Sequence, residues 1–165
     1  MKKPIGPSEF KNLKGIEYFK FEEDFIEDNV RCIPMVVRFK MDAVGIKLKL
    51  SEWSKFHSDE RIELAIMPIS DQTELKNYYN YLLSLIEKYT NNKATIIPVD
   101  PIPIWTELDQ LPRILEEKLE EVGMRISLEQ WKKLSNIQRF TLLKLCRPGH
   151  ENKNFPKAIL EFGLS

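Results

Sequence analysis

The amino-acid sequence predicts an all-α fold built as two pseudo-equivalent helical units, joined by a central helix and a proline-rich connector. Three observations predict it. First, residues 33 to 68 recur at residues 111 to 146, shifted by 78 positions without a gap. Pro34, Lys40, Val44, Gly45, Leu50, Trp53, Lys55, Arg61 and Leu64 match Pro112, Lys118, Val122, Gly123, Leu128, Trp131, Lys133, Arg139 and Leu142. A gapless match of this kind that includes tryptophan is hard to obtain by chance, and self-similarity is settled before any other reading of architecture. Second, helix start and stop signals fall at matching places in both halves. Third, the stretch between the halves carries apolar residues at helical spacing. At 165 residues the chain is one ordinary domain's worth, long enough to bury a core without disulfide or metal staples.

The first fifteen residues have little apolar periodicity and are expected to fray. Tyr18, Phe19, Phe21 and Phe25 then interleave with Glu22, Glu23, Asp24, Glu27 and Asp28, a mix that fits an edge strand leading into a turn or an acidic helix. Pro34 suits a first helical turn, where its missing N–H would be unpaired anyway, and Gly45 suits a left-handed stop. A helix is therefore expected over about 34–44, and its counterpart over about 112–122. Ile46, Leu48 and Leu50 alternate with Lys47 and Lys49, so a short strand near 46–50 competes with an extended connector. Ser127 with Gln130 forms a capping box ahead of Trp131, while Ser58 and Asn136, with Glu60 and Gln138 two residues on, mark a further pair of helix starts. Ile62, Ala65 and Ile66, like Phe140, Leu142, Leu143 and Leu145, are spaced as on helices. Asp71 and Glu74 open the central helix over 71–91, which carries Leu75, Tyr78, Tyr79, Leu82, Leu85, Ile86 and Tyr89 on one stripe. In ATIIPVDPIPIW, Pro98, Pro101 and Pro103 each remove a donor and hold the preceding residue extended, giving a stiff connector. Near the C-terminus, Gly149 allows a sharp turn and Asn154 caps a last helix before Pro156, docked by Phe155, Ile159, Leu160 and Phe162.

Composition excludes several function classes. Twenty-five basic and twenty-five acidic side chains cancel, which argues against a sequence-independent grip on nucleic acid. A helix-turn-helix regulator, suggested by the repeated short helix, turn and helix, stands only as a second alternative. The start MKKPIGPSEF lacks the apolar run of a secretory signal, and no apolar stretch approaches the roughly 20 residues that span a bilayer. With two cysteines, Cys32 and Cys146, too few for a disulfide scaffold, the expected compartment is the reduced cytoplasm. His57 and His150 are the only histidines and neither sits in a HExxH or CxxC frame, so no metal and no cofactor are expected. Cys32 lies just ahead of a helix start, where the dipole favours a thiolate, although a small buried residue is the preferred account. The alternative it leaves is a thiol- and histidine-dependent enzyme or redox protein using Cys32 and His150. Trp53 with Arg61, and Trp131 with Arg139, read as core tryptophans with an arginine capping a nearby helix end, ahead of cation–π stacking.

No catalytic residue is assigned. The candidates for recognition are two polar patches of opposite sign, expected to be exposed: Phe21, Glu22, Glu23 and Asp24 in the acidic-aromatic stretch, and Arg147, His150, Glu151, Asn152, Lys153 and Asn154 in the basic turn. The competing account of the turn has His150, Glu151, Asn152 and Asn154 hydrogen-bonding the backbone to lock the C-terminus. The phrases FKFEEDF (19–25), RCIPMVVRFKMDAVGIKL (31–48), EW (52–53), IQRFTLLKL (137–145) and RPGHENKNF (147–155) resemble the nitrate reductase-associated protein family, over about 19–164. The resemblance implies a non-catalytic accessory or maturation factor required for activity of a molybdenum-dependent assimilatory nitrate reductase. Its implied partner is the reductase or a molybdenum-cofactor maturation protein. Cys32 fits the family pattern, whereas Cys146 stands where a small hydroxyl residue is expected, which weakens any Cys32–Cys146 pairing.

Overall fold

A computed structural model describes residues 18–22, 33–147 and 153–164. Among these residues there are eight α-helices and one two-stranded antiparallel sheet, so the chain is mostly helical, as the sequence predicts. The described residues fall into two compact units. One comprises Tyr18, Glu22 and 33–100; the other comprises 19–21 and 101–164.

In the first unit, α1 (Met35–Val44) begins after Pro34 and ends at Gly45, whose φ of 77° and ψ of 34° are left-handed. Pro34 is the N-cap and not part of the first turn: its ψ of 148° is extended, and its carbonyl accepts the Arg38 N–H at 3.0 Å. β1 (Ile46–Lys47) pairs with β2 (Thr95–Ile96), Ile46 opposite Ile96. The strand expected near 46–50 is thus two residues long. It stops because the Glu52 carboxylate accepts the Lys49 N–H at 2.8 Å, which turns the chain into α2 (Leu50–Trp53) and puts Leu50 on a helix. α3 (Ser58–Ile66) is capped one residue earlier than the sequence reading places it. His57 is the N-cap, and its N–H donates to Glu60 at 2.8 Å. α4 (Gln72–Thr90) has the caps its sequence announces, the Glu74 N–H donating to Asp71 at 2.8 Å and Asn91 closing the helix at φ 55°. α1 packs on α3 and α4, and α2 on α4. Trp53, Phe56, Leu64, Tyr78, Leu82 and Ile86 are fully buried. At roughly 1.5–3 kcal/mol for each large apolar side chain, this burial dominates the unit's stability.

The second unit runs from the connector, which carries a single 3-10 turn at Ile104–Thr106, into α5 (Arg113–Val122), α6 (Leu128–Lys133), α7 (Asn136–Leu145) and α8 (Phe155–Glu161). Pro112 is again the N-cap and Gly123 the left-handed stop, at φ 70°. The Ser127–Gln130 capping box is formed in both directions, at 3.1 and 2.8 Å. α7 is capped by Ser135 and not Asn136, with Gln138 returning the bond to the Ser135 N–H at 2.9 Å. α7 is the hub of this unit, packing on α5, α8 and the 3-10 turn. Residues 19–21 belong here as well. The Lys20 and Phe21 N–H groups donate to the Glu161 carboxylate at 2.9 and 3.1 Å, and the Phe19 and Phe21 rings lie 5.0 and 6.4 Å from the Phe162 ring. Where the sequence allowed a strand or an acidic helix, the described residues form one 3-10 turn, Lys20–Glu22. Residues 23–32, like 1–17, 148–152 and 165, lie outside the described part.

Candidate functional site

The two patches proposed from sequence have different fates. Phe21 and Glu22 were expected at the surface but are 5 % and 4 % exposed. Phe21 is held among phenylalanines, and the Glu22 carboxylate accepts the Met35 N–H at 2.6 Å, supplying the acceptor that Pro34, as N-cap, has no side chain to provide. Both residues serve packing and helix capping. Asn154 is also buried, at the N-cap of α8, but its side chain makes no capping bond and its Oδ1 has no partner among the described residues. Arg147, Lys153 and Lys157 are exposed. Glu23, Asp24, His150, Glu151 and Asn152 lie outside the described residues, as does Cys32, so the Cys32–His150 pairing falls outside them too.

Cys146, at the end of α7, is partly buried, and burial pushes its thiol up to about 12, with Lys118 pulling it down and Glu121 raising it. It is protonated at neutral pH and a poor nucleophile. Among the described residues, one ionisable cluster is not visible from sequence spacing, because Lys88 and Tyr89 lie 28 and 29 residues from Glu60. The Glu60 carboxylate accepts from the Tyr89 hydroxyl at 2.6 Å and from Lys88 at 3.4 Å, besides the His57 N–H. Burial raises the Glu60 pKa, but these donors outweigh it and hold the group below its ordinary value. Its acceptors are spent on tying the start of α3 to the end of α4. No group of three or more metal-ligating side chains occurs among the described residues. The first turn of α3 carries Asp59 and Glu60, whereas that of α7 carries no acid.

Both Trp–Arg pairs do what a helix-capping reading expects. Arg61 Nη1 faces the Trp53 and Ser54 carbonyls at 3.5 and 3.4 Å. Arg139 donates to the Leu134 carbonyl and through Nε to the Trp105 carbonyl at 2.8 Å, with its guanidinium 5.9 Å from the Trp131 ring centre. Trp131 Nε1 donates to the Glu107 carbonyl at 2.8 Å. These two bonds hold the connector by its backbone, and its apolar side chains face outward: Ile102 is 77 % and Ile104 56 % exposed.

The model of conserved nitrate reductase-associated proteins matches residues 18–162. The chain belongs to this family. The match includes all eight described helices and the connector, so the family's pattern covers both units. Comparison with curated proteins and with solved structures found no match. Among the described residues of this family member, no helix is long and apolar enough to cross a membrane.

Proposed function

We propose that the protein is a non-catalytic accessory or maturation factor of the cytoplasm, needed for a molybdenum-dependent assimilatory nitrate reductase to become active. The observation that carries the reading is the family match over residues 18–162, whose description is association with nitrate reductase. Recognition by such a factor rests on exposed side chains that can be removed without loss of fold. Exposed Arg147 and Lys153 remain candidates, together with Glu23, Asp24, His150, Glu151 and Asn152. We further propose that the two helical units descend from one duplicated unit. The sequence repeat supports this, as does the position of helix starts at Met35 and Arg113, Leu50 and Leu128, and Ser58 and Asn136, each pair 78 residues apart.

The test is a deletion strain grown on nitrate. Nitrate reductase polypeptide should accumulate with low specific activity and low molybdenum content, and the wild-type gene should restore both. Normal activity in the deletion strain would overturn the accessory role.

A further inference from the structure

We draw no further inference here: the strongest candidate, the buried Trp53 indole N–H in the core of the first unit, which has no acceptor among the described residues although its counterpart on Trp131 holds the connector by the Glu107 carbonyl, carries nothing, because the stretch that lies 78 residues before the connector's 101–110 is 23–32, outside the described residues.

Discussion

Glu22 is an acid that composition would place in water, yet it is buried and its carboxyl oxygen takes the Met35 N–H at 2.6 Å. A helix begins with orphan donors, and a proline N-cap brings no side-chain acceptor, so an acid from upstream fills the place. Glu22→Ala is expected to lower stability by about 1–3 kcal/mol, read from the urea midpoint at unchanged slope. In the middle of α1, Lys40 donates to the Ala65 carbonyl at 2.7 Å and to the Met67 carbonyl, closing the end of α3. Burial lowers its pKa to about 8 from 10.5. Between these values the unfolded chain holds a proton that the native state has released, so the Lys40 contribution makes stability rise with pH across this window. Subtracting the K40M curve from wild type isolates it from Cys146, whose raised pKa acts in the opposite sense between 9 and about 12. A difference curve that is flat from pH 8 to 10.5 would show that the ammonium is not desolvated.

At the level of elements, local chemistry written in adjacent residues was legible. Asp71 with Glu74, Ser127 with Gln130, and the stops at Gly45 and Gly123 all mark real helix ends. The misplaced boundaries had a common cause: two neighbouring residues could each cap, and the choice fell to the one three positions before Glu60 or Gln138. The strand near 46–50 was cut short by Glu52, whose side chain competes for the Lys49 N–H. The two glycines look alike in sequence but differ in surroundings. A Cβ on Gly45 would stand 2.7 Å from the Ile97 carbonyl oxygen and 2.9 Å from Val99, in the connector just after β2, while one on Gly123 would meet nothing within 4 Å. Gly123→Ala should therefore cost only the left-handed strain, about 1 kcal/mol, and Gly45→Ala clearly more, by roughly 1–3 kcal/mol for the forced shift. Equal costs in parallel denaturation curves would mean that the connector yields freely over Gly45.

On the scale of the whole chain, the site was harder to read than the fold. Helical spacing is a local pattern, but burial of Phe21 and Glu22 depends on Phe162 and Met35, and the anchoring of the connector depends on Arg139 and Trp131, 34 and 24 residues from their acceptors. Nothing in ATIIPVDPIPIW says which way its isoleucines face. The sequence match between residues 33–68 and 111–146 makes one such long-range difference testable. Trp53 and Trp131 hold matching repeat positions and are both 0 % exposed, so replacing either with phenylalanine removes the same buried volume. Their indole N–H groups differ: that of Trp131 donates to the Glu107 carbonyl, whereas that of Trp53 has no partner among the described residues. Trp131→Phe deletes a bond and orphans an acceptor, while Trp53→Phe deletes an N–H that is already unsatisfied. W131F should thus be the more destabilising by about 1 kcal/mol, with the cation–π contact to Arg139 adding in the same direction. The check is a pair of guanidinium unfolding curves on the full chain. If W53F proved equally or more destabilising, the Trp53 indole would have an acceptor of its own, and the asymmetry inferred between the two units would be wrong.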